Sequence, residues 1–126
     1  MNRRMNRTPG RRPQRVAEAI REAVAEFLTA EARDPRIGHV TVTQVKVTAD
    51  LKRAVVAVMI RGDEEEKKQC LYGLAHAEGA VRRAIAARLT VKTVPEVAFE
   101  LDRDMERASR IDKLLAQLHP PGEQAP

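Results

Sequence analysis

The spacing of apolar residues changes period along this chain, and that alternation limits the folds open to it more than any other feature. Val16, Ile20, Ala23, Val24, Phe27 and Leu28 recur at helical spacing and put one apolar face on residues 14–31. Pro13 suits the first helical position, and Asp34-Pro35 ends the segment, because a residue before proline is pushed out of the α region. Two strand-like runs follow. In His39–Thr48, Val40 and Val42 share one face while Val45 and Val47 fall on the other. A bulge near Thr43-Gln44 restores a single buried face; a strand buried on both sides is the competing account. Lys52–Ile60 alternates Ala54, Val56, Val58 and Ile60 against Val55, Ala57 and Met59. The short Thr48–Leu51 link between the runs makes an antiparallel hairpin the natural pairing.

Asp63-Glu64-Glu65-Glu66 opens the next helix, with a cap-like acid and negative charge at the positive end of the dipole. Leu71, Leu74, Val81, Ile85 and Leu89 then hold one helical phase over residues 64–89. Periodicity alone reads this as one long helix, although Gly79 in its middle costs about 1 kcal/mol relative to alanine and hints at a bend. Val94-Pro95 breaks the phase. Val97, Phe99 and Leu101 alternate with Glu96, Ala98 and Glu100 as a third strand with an acidic outer face. Met105, Ala108, Ile111, Leu115 and Leu118 trace a last amphipathic helix, ended by Pro120-Pro121. The order is α-β-β-α-α-β-α, an α+β arrangement with a three-stranded sheet packed against helices. The expected boundaries are a disordered arginine-rich tail over 1–12, one domain over 13–119 and a disordered end over 120–126.

Composition narrows the functions. At 126 residues, 43% hydrophobic and 33% charged, the chain suits one folded domain. A single cysteine, Cys70, excludes an internal disulfide and any multi-cysteine zinc site, and its apolar neighbours Leu71 and Leu74 mark it as a small core residue. His39, His76 and His119 stand far apart, with no metal-ligand spacing. The Asp63–Glu66 run lacks the alternation and glycine of a calcium loop. There is no nucleophile elbow and no glycine-rich phosphate loop, so neither catalysis, a cofactor nor a metal is expected. Phe27, Tyr72 and Phe99 are the only aromatics, which argues against modules that stack bases on aromatic platforms. No apolar run reaches the roughly 18 residues of a membrane span, and the arginine-rich start has no apolar signal core; a cytoplasmic protein is expected.

The net charge is +5, but residues 1–17 carry six arginines and no acid, leaving −1 on the remainder. Such an arm seeks polyanions, or it serves as a solubilising extension. A second basic stretch lies between Gly79 and Pro95, where Arg82, Arg83, Arg88 and Lys92 face no acid in sequence. With Val81, Ile85 and Leu89 turned to the core, these arginines fall on or beside the exposed side. Gly79 precedes them, where helix-start amides and a bare backbone can meet a phosphate. Lys52 and Arg53 at the hairpin add two bases. An ordinary solvated helix face is the plainer reading. Arginine's fork suits phosphate, but Arg outnumbers Lys 17 to 6 along the chain, so part of the pattern reflects overall composition.

Asp34-Pro35-Arg36-Ile37, Val40-Thr41-Val42-Thr43-Gln44-Val45 leading to Asp50-Leu51, Ala77-Glu78-Gly79 followed by Arg82, and Val94-Pro95-Glu96-Val97-Ala98-Phe99 with Asp102 resemble, in this order, the ribosome-binding factor A family. The similarity runs from about Arg15 to Leu118. It implies a type II KH-like domain, α-β-β-α-kink-α-β with an added C-terminal helix, in which Ala-x-Gly replaces the usual GxxG loop and the kink falls at Ala77, Glu78 and Gly79. It also implies a non-enzymatic factor that binds the free small ribosomal subunit and promotes late maturation, including processing of the 5′ end of its rRNA precursor. Glu78 sets an acid inside that kink, so either it turns aside or the contact falls to the arginines beyond. The expected RNA-binding residues are Gly79, Arg82, Arg83, Arg88 and Lys92, with Lys52 and Arg53 beside them, in a monomer that meets rRNA by phosphate and shape. Two rivals are a protein-binding module, using Val55, Ala57 and Met59 or the C-terminal helix, and a small enzyme with a substrate-assisted mechanism. A general RNA-binding KH protein is a further alternative.

Overall fold

The computed structural model describes residues 11–30, 37, 39–89 and 93–118. The Asp34-Pro35 helix stop, Lys92, His119 and both expected tails, apart from Arg11 and Arg12, lie outside those residues. Helix α1 spans Arg11–Ala30, β1 Val40–Val47, β2 Arg53–Ile60, α2 Glu64–His76, α3 Glu78–Ala86, β3 Glu96–Leu101 and α4 Arg103–Leu118. The expected α+β order is thus observed, with α1 opening two residues ahead of Pro13. Strand β2 lies between the others, antiparallel to β1 and parallel to β3. The parallel pair requires a crossover, and α2 with α3 supplies it.

Of the two accounts of the first strand-like run, the bulge is the one that forms. Val40 and Val42 pair with Ile60 and Val58, then the register slips between Val42 and Gln44, so that Val45 and Val47 meet Val56 and Ala54. Thr43 is the extra residue, and all four valines of β1 pack against the core from one face. The carbonyls freed there are not left empty. The Arg21 guanidinium of α1 donates to Val42 O and Thr43 O, and the Thr43 hydroxyl donates to the Asp102 carboxylate at the end of β3.

The core lies between this sheet face and the helices. It comprises Val16, Ile20, Ala23, Val24 and Phe27 of α1, alternate residues Ala54 to Ile60 of β2, Cys70 and Leu74, Val81 and Ile85, and Val97. Each fully buried Val, Leu or Ile contributes roughly 1.5–3 kcal/mol. Leu74, Val81 and Ile85 share one helical phase, yet the helix is split at Ala77, whose φ −88 and ψ 4 lie in the bridge region. The phase is continuous because both pieces bury the same stripe; the backbone is not.

At the start of α2, Asp63 and Glu66 form a reciprocal cap: each side chain accepts the other's backbone N–H at 2.8 Å. Gly62 ahead of it has φ +133, and a Cβ there would come within 2.7 Å of Glu66 Oε1. At the other end of the molecule, α4 departs from the usual amphipathic arrangement. Its buried residue is Glu106, which meets Lys67 at 3.2 Å and Arg103 at 3.2 Å, while Ile111, Leu114, Leu115 and Leu118 are 50–71% exposed. Successive helical residues turn by about 100°, so the apolar stripe points away from the side that meets the domain.

Two outcomes are expected. Asp63→Ala should lower stability by about 1 kcal/mol in denaturant unfolding, since it leaves a helix-start amide without its acceptor. Asp102 accepts from the Thr43 hydroxyl and from Met105 N–H, and these bonds, the hydroxyl first, hold its carboxyl below the usual range. Its contribution is complete above the unfolded carboxylate value of about 3.9 and is lost as pH falls through the lower folded value. The gap in Tm between wild type and Asp102→Ala should therefore be full at neutral pH and close as the pH is taken well below 4.

Candidate nucleic-acid interface

Helix α3 sorts its polar side chains onto two flanks. Glu78 and Arg82, one turn apart, both turn toward the start of β3. Glu78 Oε2 accepts from Val97 N at 3.4 Å, and Arg82 Nη2 donates to Val94 O at 2.9 Å. Glu78 therefore turns aside, half-buried, and its acid does not sit over the exposed side of the kink. The Arg82 Nε is also buried, with no hydrogen-bond partner among the described residues. Arg82 thus closes the entry to β3 as well as carrying charge.

Gly79 and Arg83 occupy the other flank, and both are exposed. A Cβ at Gly79 would meet only Arg83 Nη1, at 3.7 Å, an ordinary contact. Among the described residues, nothing requires glycine there. A groove of about 400 Å³ between α1 and α3 begins beside Arg83 and is lined by small residues, among them Ala23, Ala80 and Ala84.

Arg88 is engaged elsewhere. Its guanidinium pairs with Glu22 at 3.0 Å and with Glu26, both on α1. Those carboxylates, Glu26 first, push its already high pKa further up. The acids that sequence spacing placed far from Arg88 are brought to it by the packing of α1 on α3, which makes it a tie between helices rather than an open phosphate ligand. Lys92 lies outside the described residues.

Lys52 and Arg53 follow a turn fastened by its own side chains. Thr48 Oγ1 donates to Asp50 Oδ1 at 2.6 Å, and the same carboxylate oxygen accepts Lys52 N–H at 3.0 Å. These bonds, Thr48 first, hold the Asp50 carboxyl below its usual range. Leu51 takes a left-handed conformation, φ 62, uncommon for a residue with a side chain. The turn brings both bases to a cleft of about 640 Å³ that also receives Arg82, Thr93 and Arg12. Arg12 was missed at this site. It looked like part of a featureless tail, and only its place in the first turn of α1 puts it here; helical phase counted back from Val16 was the available signal.

The expected RNA-binding residues that stay open thus fall into two groups, the bases Lys52, Arg53 and Arg82 in one cleft and Gly79 with the base Arg83 on the other flank. His76 Nδ1 lies 3.2 Å from Tyr72 O, and Cys70 is 1% exposed in the core. Among the described residues, no three His, Cys, Asp or Glu side chains gather as a metal site, and no helix is long and apolar enough to cross a membrane.

Comparison with known proteins agrees with this architecture. The crystal structure of ribosome-binding factor A from Thermus thermophilus is 27% identical, with TM-score 0.63 over 72% of this chain and 97% of that one. A solution structure of a Thermotoga maritima protein described as a candidate ribosome binding factor A is 29% identical, with TM-score 0.57 over 75% and 91%. Also 29% identical, with TM-score 0.57 over 69% and 91%, is a homology model of the Thermus thermophilus ribosome binding factor A as fitted into a cryo-electron-microscopy map of its 30S complex. Since the family model for ribosome-binding factor A matches from residue 12 to residue 115, nearly the whole of the KH-like domain, this chain belongs to the ribosome-binding factor A family.

Proposed function

We propose that this protein binds the free small ribosomal subunit through rRNA and promotes its late maturation, including processing of the 5′ end of the small-subunit rRNA precursor. It does so as a single copy, in the cytoplasm, and it catalyses no reaction itself: it holds precursor RNA in a shape on which other activities work. The family match over residues 12–115 carries this reading, and the related factor fitted into a 30S complex supports it. The side chains agree in kind. The domain offers exposed bases but few aromatics, so contact through phosphates and shape suits it better than base stacking.

The flank of α3 gives the test. Gly79 has no steric duty inside the fold, so its bare backbone is useful to a ligand that comes close. Gly79→Ala should leave stability unchanged or raise it by up to about 1 kcal/mol, yet weaken co-sedimentation with purified small subunits. Arg83→Glu should weaken it more, and with four to six phosphate contacts the wild-type slope of log affinity against log salt should be about −3 to −5. The Arg83 variant should be shallower by roughly one. Wild-type protein that fails to travel with the subunit in a sucrose gradient at low salt would overturn the reading. Arg82→Glu is a poorer probe than its sequence position suggests, because it also removes the bond to Val94.

One observation favours a second, protein-facing contact alongside RNA. Among the described residues, the apolar stripe of α4 stays half or more exposed, at 50–71% for Ile111, Leu114, Leu115 and Leu118. Ile111→Ser with Leu115→Ser should leave Tm within a degree or two, as exposed substitutions do, while lowering subunit affinity with no change in salt slope. The other apolar candidates, Val55, Ala57 and Met59, are less open: Ala57 is buried, and polar Gln44 and Glu100 flank it across the sheet.

A further inference from the structure

We propose that the cleft between the β1–β2 turn, α3 and the entry to β3 is a binding site for one backbone phosphate of single-stranded RNA, held by Arg12, Lys52, Arg53 and Arg82. The proposal deepens the rRNA-binding reading and rests on it. It separates this cleft from the Gly79–Arg83 flank as a second, independent point of attachment.

Four bases from three distant parts of the chain line one cleft, against two acids, Asp50 and Glu96. Asp50 gives one oxygen to the Thr48 hydroxyl and the Lys52 amide and keeps its charge, so the four bases still outnumber the acids. Like charges gathered this way repel one another, and an anion between them removes that cost. Arg82 is fixed before any ligand arrives, because the bond from its Nη2 to Val94 O holds the guanidinium in place. A fixed fork loses little freedom on meeting a phosphate. The other side of the cleft is fixed too. Thr48 Oγ1 also accepts the Arg53 amide at 3.1 Å, and Lys52 O accepts the Glu96 amide at 2.9 Å, so the turn is tied to itself and to β3. Leu51 at φ 62 is the local cost of that geometry.

The lining also says what the ligand is not. It contains no aromatic side chain on which a base could stack. With charge and one hydroxyl, Thr93, as its polar means, the cleft reads a phosphate without regard to sequence. Its volume of about 640 Å³ leaves room for sugar on either side of the phosphate.

The test is a nuclear magnetic resonance titration of the full chain with inorganic phosphate and, separately, with a tri-uridine oligonucleotide. Both should shift the amides of Leu51, Lys52, Arg53 and Thr93 and the Arg82 side chain, the oligonucleotide at lower concentration. Arg12 and Lys52 are exposed, so Arg12→Gln with Lys52→Gln should keep Tm while weakening oligonucleotide binding at these signals five- to twentyfold. Arg83→Gln should leave those signals unchanged. Shifts spread over surface bases generally, or equal weakening by Arg83→Gln, would overturn the site. Small-subunit binding separates the two readings. If the Arg12/Lys52 variant sediments like wild type while Arg83→Glu does not, the cleft is wrong and the rRNA-binding function stands. If wild type fails to sediment but the titration succeeds, the cleft stands as an RNA site and the function is wrong.

Discussion

One inserted residue decides how the two halves of β1 face the molecule. Without the slip at Thr43, Val45 and Val47 would point to the opposite side from Val40 and Val42, and the sheet would present a broken face to α1. The irregularity is held from three directions: Arg21 of α1 takes the carbonyls, the β2 ladder resumes at Gln44, and Asp102 takes the Thr43 hydroxyl. Asp102 also accepts the Met105 amide, so one carboxylate links the bulge to the first turn of α4. The direction in which the last helix leaves the sheet thereby depends on a defect in the first strand.

The division at Ala77 follows a different logic. Both helix pieces bury one stripe, and a straight helix would have served that stripe equally well. What the break adds is control over the polar residues behind it. Glu78 and Arg82 reach the backbone of Val97 and Val94, so α3 positions the start of β3 through side chains as well as through the core. Arg88, at the far end, ties α3 to α1 through two carboxylates that are 65% and 68% exposed. Such open pairs contribute little stability each, and their effect is to restrain a side chain that would otherwise be free to meet an anion.

Much of this was legible in the residues. The order of elements follows from periodicity, the bulge from the phase of four valines, and the cap from Asp63 and Glu66. These are local signals, each carried by neighbours in sequence. Periodicity was blind to the helix break, because a core stripe stays in phase through a bend; Gly79 only hinted at it. The orientation of α4 was hidden for the opposite reason. Its stripe is plain, but whether a stripe is covered depends on where the chain leads the helix, and here Lys67 and Arg103 hold it by Glu106. The basic residues were found as a set but not as a map. Which cation is open and which is tied rests on contacts across 62 to 66 residues for Arg88, and on the return of α1 for Arg12.

The parallel pairing of β2 with β3 has a consequence for when this molecule becomes able to act. During synthesis the hairpin and α1 are available early and can meet by local contacts. Strand β3 can join only after the whole crossover has been made, since Arg53 pairs with Glu96 over a long loop of chain. The wall of the cleft formed by Arg82, Thr93 and Val94 arrives with that last pairing. A chain in which β3 has not yet paired therefore carries the bases of the cleft but not their arrangement. Of the two basic groups, only the cleft depends on that parallel pairing; the Gly79–Arg83 flank lies on α3 alone.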